Sequence, residues 1–426
     1  MNKFGILKNK VFRNFFFASL IGLFGEGIFG LTNIVLMQKE TGSVMAISFM
    51  IMMTMLPSVF LAPFGGVIID RFNKAKVAFW CNLIRFVCML ALAILFFMDL
   101  FSTQVLYVAI FVSYLVFHLL TPTTESMLKE ALSEEEYMQG VSLTQAAWQV
   151  GLLSSGLLAG ILIQFTGPTI TLIVASSTYL IGALLYLGIF AIYKPVAAPA
   201  AAAGQPAKKL GLRFFLNDIK EGWGYLLQHK GVLYLSLGAC ISFPFFSGVN
   251  ILVGPFNFEV LKGDEFTLGL VSSGAGIGSL LSAGVCLWLS KKKGIPGYLV
   301  ASLVLLAVSV LLFSMQTHYV LAFIMYIVLG LFVGNVKVLS KTLVYQHVET
   351  AYIGRTMTTI NMISLGSATL FSLLIGYIGE KDVTNAYLAI IALLVLPIIF
   401  TLAGKYYVNA ASKHSLATAP SSDTTA

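Results

Sequence analysis

Charge is scarce in this sequence. Asp, Glu, Lys and Arg make up 10% of 426 residues, where soluble domains carry about 25%. So little charge cannot cover a surface against water, which excludes a soluble globular fold. Cysteine is sparse too: Cys81, Cys88, Cys240 and Cys286 all fall within apolar runs. They read as small buried groups, and a disulfide framework is excluded. No His/Cys cluster has metal-ligand spacing, and no nucleophile, base and acid are set out as in an enzyme. A phosphate loop ending in Lys-Ser or Lys-Thr is missing, so ATP is not the energy source. The expectation is no catalytic site, no metal and no cofactor. Short strands of alternating polarity are also missing, which excludes a membrane barrel.

What remains is apolar. Hydrophobic residues make up 58% of the chain and mean hydropathy is +0.90. Crossing a bilayer takes about 20 apolar residues. Twelve such stretches occur, near 13–37, 43–69, 76–98, 103–128, 137–163, 168–193, 231–258, 266–290, 296–315, 318–346, 354–378 and 383–406. Backbone groups in hydrocarbon must be satisfied within each segment, so these are helices. The first run is too long for a cleavable leader, and none is expected. With the N-terminus inside, 20 of the 26 Lys and Arg lie in cytoplasmic segments. Only Lys39, Lys262 and Lys381 lie opposite. This asymmetry predicts a multi-pass protein of the cell membrane with both termini cytoplasmic. The net charge of +8 therefore reports orientation, and no nucleic-acid partner is expected.

The longest interruption divides the chain into a six-helix unit at 1–193, a linker at 194–230 and a second six-helix unit at 231–411. The tail, 412–426, is Ser/Thr/Ala-rich and expected to be disordered. The linker begins KPVAAPAAAAGQPAKK, a flexible composition. LRFFLNDIKEGWGYLLQHKG follows, with Leu212, Phe215, Leu216, Ile219, Trp223, Leu226 and Leu227 at helical spacing. It predicts an amphipathic helix on the cytoplasmic face. The two units read as repeats. Tyr137 of EEEYMQG aligns with Tyr352 of ETAYIGR, and Gly66-Val67 with Gly284-Val285, at nearly equal offsets.

Gly66-Val-Ile-Ile-Asp70-Arg71-Phe-Asn73-Lys74-Ala-Lys76 resembles the signature loop between the second and third helices of the major facilitator superfamily, G-x-x-x-D-[RK]-x-G-[RK]-[RK]. Asn73 stands for the usual Gly, a residue that also tolerates a left-handed turn. The resemblance covers almost the whole chain. It implies an all-α membrane fold of twelve helices in two pseudo-symmetric halves. It also implies that Gly66, Asp70, Arg71, Lys74 and Lys76 form a conformational latch on the cytoplasmic side. The first span, NFFFASLIGLFGEGIFGLTNIVLMQKETGS, is similar to that of the branch of macrolide efflux pumps and the enterobactin exporter. That similarity implies proton-coupled efflux of a small amphiphile, such as a macrolide-like antibiotic, siderophore or other metabolite. A lipid or lysophospholipid transporter and a non-transporting sensor are the alternatives. The partners expected are substrate, protons or another cation, and membrane lipid, with the chain a monomer.

Several charges lie inside the spans. Glu26 sits in the middle of LFGEGIFG, where an isolated carboxylate costs several kcal/mol unless it faces a bundle interior or a wet cavity. In the family the first, fourth, seventh and tenth helices line the cavity, so Glu26 is the expected coupling site, able to exchange a proton. Asn250 and Phe246 of span 7 are expected to line the same cavity. Phe245, Phe256 and Phe258 offer further apolar contact there. Arg85 of span 3 reads as structural, paired or reaching toward the interface. His118 and Glu125 share one face of span 4, and Lys337 and Lys341 one face of span 10. The repeat offset makes these places quasi-equivalent, so Glu125 with Lys337 or Lys341 is the expected gating pair. SGAGIGS, 273–279, follows no strand; its Gly274 and Gly278 read as a helix-packing face.

Overall fold

Polar residues at the run ends decide where each helix begins. In the computed structural model, which describes residues 5–61, 69, 72–193, 212–293, 295–349 and 352–417, Asn9 opens α1 (Lys10–Thr41). Its side chain accepts the backbone N–H groups of Val11 and Phe12. Gly42, at φ +58°, closes α1 by donating its N–H to the Gln38 carbonyl. α2 (Val44–Leu61) follows at once. Asn73 caps α3 (Lys74–Phe97) by accepting the Lys76 N–H at 3.1 Å. Asn73 is extended, at φ −61° and ψ 118°. The left-handed turn expected there is corrected: the residue is an N-cap.

Ser102 caps α4 (Thr103–Ala131). Ser133 and Glu136 form a capping box that starts a run to Ile192, interrupted only at Gly167, φ 78° and ψ 170°. Pro168 follows, so the run is two helices, α5 (134–166) and α6 (168–192). They are antiparallel, because α1 meets both near the same level: Phe12 abuts Gly140, and Asn14 abuts Gly188. Counted as one, this run is among 11 helices of the described residues long and apolar enough to cross a membrane. Folded at Gly167 it makes two passes, which gives the twelve expected.

Residues 194–211 lie outside the described residues. α7 (Leu212–Gln228) is the expected amphipathic helix. α8 (Lys230–Pro255) continues past Pro244 and widens to a π turn over Phe256–Val260. α9 (Glu265–Lys293), α10 (Ile295–Ser314), α11 (Tyr319–His347) and α12 (Ile353–Gly379) follow. The last pass is α13 (Val383–Leu393) and α14 (Val395–Ala417), joined at Leu394. The tail expected to be disordered from Ser412 thus begins as helix, and 418–426 lie outside the described residues. Gly274 and Gly278 of α9 pack on the backbone of α11 at Phe323 and Ile327, as the small-residue spacing predicted.

α1–α6 pack mainly on one another, as do α8–α14. The largest apolar cluster draws on both sets, including Leu36, Ile47 and Ile163 with Leu252, Leu268 and Ile375. Two smaller clusters each belong to one set. One holds Phe12, Ala78, Met127 and Tyr186; the other holds Tyr225, Cys240, Val344 and Ile360. Both sit toward the end where α1 begins, here the near end. The sets are therefore joined at the far end and separate at the near end.

Two seams make the far junction. In the first, Gly160 of α5 lies on α9: a Cβ there would be 2.7 Å from the Glu265 carbonyl oxygen and 2.9 Å from Gly269 Cα. In the second, Gly376 and Gly379 of α12 lie on Ser48 and Val44 of α2. The same faces open toward the near end. Asn361 shares a face of α12 with Ser372 and Gly379, yet only Asn361 is exposed. Val59 shares a face of α2 with Ser48 and is exposed while Ser48 is buried.

Candidate functional site

Glu26 lies at the centre of α1, about 24 Å from either end at 1.5 Å per residue. Gly25 lets α1 lie directly against Thr178 of α6, and Gly27 lets it lie against Ser155 of α5. This close approach brings Glu26 to a group of side chains from three other helices. Arg85 of α3 is ion-paired to Glu26 through Nη2 and Oε2. The same Nη2 donates to the Tyr179 hydroxyl of α6 at 2.8 Å, and Nε donates to Ser113 Oγ of α4 at 3.2 Å. The Tyr179 hydroxyl donates to Glu26 Oε2 at 3.3 Å, and Tyr114 lies beside the carboxylate. The guanidinium carbon is 4.0 Å from the Tyr179 ring centre and 5.1 Å from that of Phe117.

The pair is unequally buried. The Arg85 side chain is 2% exposed and that of Glu26 17%. A buried charge needs a partner, and the guanidinium cannot escape by losing its proton. The carboxylate can be neutralised by a proton, and it is the member nearer open space. Glu26, Gly30 and Ile34 follow at four-residue steps on one face of α1. Phe246, Asn250 and Gly254 do the same on α8. Ile34 meets Gly254, where a Cβ would be 2.5 Å from Ile34 Cγ2. Both helices run from the near to the far end, so Gly30 stands opposite Asn250, and Glu26 opposite Phe246. Nothing lies within 4 Å of a Cβ at Gly30. Phe246 is exposed, and the Asn250 amide donates to the Phe246 carbonyl at 2.9 Å. Glu26 on α1, and Phe246 and Asn250 on α8, thus lie on the near side of the contact between Ile34 and Gly254.

Other expectations fare differently. Phe245 and Phe256 are core residues: Phe245 packs edge-on to Phe371, and Phe256 packs against Phe313 and Tyr387. Gly66, Asp70 and Arg71 lie outside the described residues. Lys76 is exposed. Lys74 is buried and bonds Glu130 at 2.5 Å, and Glu130 also accepts from Tyr193. Lys74 therefore ties α3 to α4 within its own set of helices. His118 bonds the Thr54 carbonyl of α2 at 3.0 Å. Glu125, Lys337 and Lys341 are exposed and make no ion pair among the described residues; Lys341 lies over the Tyr345 ring.

Sequence reasoning missed the far gate. Lys39 of α1 is ion-paired to Glu265 of α9, and Gln38 donates to Glu259 at 3.2 Å. Glu380, just past α12, accepts the Ser43 hydroxyl and the Met45 N–H, both at 2.9 Å. A carboxylate of one set thereby caps a helix of the other. Every cross-set hydrogen bond and ion pair among the described residues is at this end. Isolated charges at helix ends carry no sequence signal for such partners.

A profile of the Major Facilitator Superfamily matches residues 15–372. An uncharacterized transporter of that type, YkuC of Bacillus subtilis (strain 168), is 25% identical over 291 residues. That alignment covers 65% of this chain and 66% of YkuC, just under two thirds of the relative. The fold is similar to the nucleoside transporter NupG, at a TM-score of 0.72 and 14% identity, covering 95% of this chain and 99% of that one. It is similar to a bacterial homologue of the iron transporter ferroportin in the inward-facing state, at 0.72 and 14%, covering 92% and 98%. A bacterial homologue of the lysosomal transporter Spinster, inward-facing and unoccupied, matches at 0.67 and 14%, covering 93% and 98%. At that identity these likenesses concern the fold alone. With the match over residues 15–372, the twelve-pass fold and its two helix sets, the chain belongs to the major facilitator superfamily.

Proposed function

We propose that the chain exports an amphiphilic compound in exchange for protons, by alternating access of one central cleft. The observation that carries this reading is the Glu26–Arg85 pair at mid-span, in which the carboxylate is the more exposed member. A proton arriving at Glu26 removes the charge that holds Arg85, and a departing proton restores it. Two charge states of one site then favour two packings of α1 against α3 and α6. Opposite Glu26, Phe246 gives an apolar surface and Asn250 an amide, which suits a cargo with both characters. Macrolide-like antibiotics, siderophores and similar metabolites fit that description. Efflux as the direction rests on the resemblance of the first span to the macrolide and enterobactin exporters.

The excess of basic residues supports a cytoplasmic near end, in the cell membrane. The cleft is then inward-facing, with the gate of Lys39, Glu265, Glu259 and Glu380 shut outside. In the opposite state the near ends meet. Glu125 then pairs with Lys337 or Lys341, and the loop of Gly66, Asp70 and Arg71 latches shut. Exchanging the charges, Glu125→Lys with Lys337→Glu or Lys341→Glu, should restore transport lost in either single variant.

Accumulation of labelled amphiphiles in cells tests the whole reading. Wild type should lower accumulation, and a protonophore or Glu26→Gln should abolish the effect. Export that persists unchanged in Glu26→Gln would remove Glu26 as the coupling site. Export indifferent to the protonophore would remove proton coupling.

A further inference from the structure

α7 stands outside the transport cleft, and its contacts divide it into two faces. Gly222, Tyr225 and Leu226 are buried against the start of α12. Gly222 lies directly on Arg355 and Thr359, and the Thr359 hydroxyl donates to the Ile219 carbonyl at 3.3 Å. Tyr225 stacks on Tyr352 at 4.6 Å, and Glu221 is ion-paired to Arg355 at 2.9 Å. Leu216, Trp223 and Leu227 lie on an adjacent stripe and are 54%, 39% and 53% exposed. Lys220 sits at the edge of that stripe and is also exposed.

What covers this stripe follows from α12. Thr359, Gly366, Leu370, Leu374 and Tyr377 fall on one face at helical spacing. Beyond the reach of α7 that face is open: Leu370 is 72% exposed, and Leu374 and Tyr377 are exposed as well. On the side of a membrane-spanning helix away from the cleft, an apolar exposed face is turned to lipid. It is also a different face from the one that meets α2, where Asn361 opens to the cleft. α7 therefore covers the near end of a lipid-facing surface, on the outside of the molecule.

We infer that the exposed stripe of α7 is a lipid-docking surface. Leu216, Trp223 and Leu227 enter the acyl chains just below the headgroups, and Lys220 reaches back to the lipid phosphates. Trp suits the boundary, with an apolar ring and one N–H for the wet side. A Lys with its stem along apolar surface does the same. Glu221, the acidic neighbour, is held by Arg355 and turned away from the stripe. Docking would hold the near end of α12 to the bilayer at the place where its other flank leaves α2.

Tryptophan emission tests this without removing other residues. Purified wild type and Trp223→Phe are placed in vesicles of phosphatidylcholine with acyl chains brominated near the headgroup, or unbrominated. The difference between the two proteins isolates the Trp223 emission. Bromolipid should at least halve that difference emission, while aqueous iodide quenches it far less than it quenches free tryptophan. Strong quenching by iodide with none by bromolipid would overturn the proposal, because the stripe would then face water. A second comparison uses Leu227→Glu, which puts a charge at the same depth. Bromolipid quenching of Trp223 should fall in that variant; unchanged quenching would mean the stripe does not dock as a unit. Size exclusion of each variant confirms that only folded protein is compared.

Discussion

The Glu26–Arg85 pair predicts an unequal response to losing either partner. In Glu26→Gln the guanidinium keeps Tyr179 and Ser113 but loses its counter-charge at 2% exposure. Leaving one member of a buried pair uncompensated costs about 3–5 kcal/mol. In Arg85→Met the stranded group is a carboxylate at 17% exposure, and a proton can neutralise it. That variant should lose less, mainly the hydrogen bonds, of about 1–3 kcal/mol for a buried group left unsatisfied. In the double variant no charge remains, so stability should return most of the way to wild type. Interhelical hydrogen bonds in membranes couple by only about 0.6 kcal/mol on average. A coupling of about 2 kcal/mol or more from the four-protein cycle would therefore identify a charge pair. The assay is unfolding of the purified proteins in detergent, read as the order of their midpoints. Additive losses in the double variant, or a Glu26→Gln as stable as wild type, would refute the reasoning. The double variant also separates structure from coupling: a folded protein that still ignores the proton gradient places the function at the Glu26–Arg85 pair.

The far gate and its seams allow two further tests. Glu380→Ala removes the cap that Ser43 and Met45 receive from the other set of helices. N-cap losses run to about 1 kcal/mol, or roughly a fivefold shift toward the state with this gate open, readable as faster thiol labelling of a cysteine placed at Ile34. No change in labelling would mean the cap does not hold the gate. Gly160→Leu sets a side chain against the α9 backbone, 2.7 Å from the Glu265 carbonyl at its first atom. It should keep the seam from closing and stop transport while the protein still reaches the membrane; normal transport would show that the seam is not obligatory.

Much of the fold was legible because hydrocarbon allows few solutions. Runs of about 20 apolar residues must be helices, and the bias of Lys and Arg orders them. The turn at Gly167 falls in the gap between the runs 137–163 and 168–193. Partners were less legible. Glu26 and Arg85 were both noticed, but pairing across 59 residues depends on how α1 crosses α3, which single-sequence periodicity does not specify. Tyr179 carried no signal, since a tyrosine in a span is ordinary. Lys74 was assigned to the latch by its place in the motif, whereas the nearest carboxylate for it is Glu130 at the end of α4. Of the span 7 phenylalanines, burial divides Phe245 and Phe256 from Phe246, and aromatic content alone could not.

The glycines of LFGEGIFG argue the last prediction, because they divide by what stands beside them. Gly25 and Gly27 are pressed against Thr178 and Ser155, and any side chain there must push α1 off its neighbours. Gly30 has nothing within 4 Å, although it lies one turn from Ile34, where the cleft closes. A helix gains about 0.5–1 kcal/mol when an interior Gly becomes Ala. Gly30→Ala should therefore leave the thermal midpoint equal or higher, while Gly25→Val and Gly27→Val lower it. Packing does not explain Gly30, so the space it leaves is best explained by what the cleft admits between Glu26, Asn250 and Phe246. Gly30→Leu fills that space from the α1 side and should fold normally. Its transport should weaken with the size of the cargo: an increased KM for a bulky amphiphile, and little change for a small one. A Gly30→Leu protein that misfolds would show that the space closes in the native protein. Equal kinetics for large and small cargo would place the cargo elsewhere in the cleft.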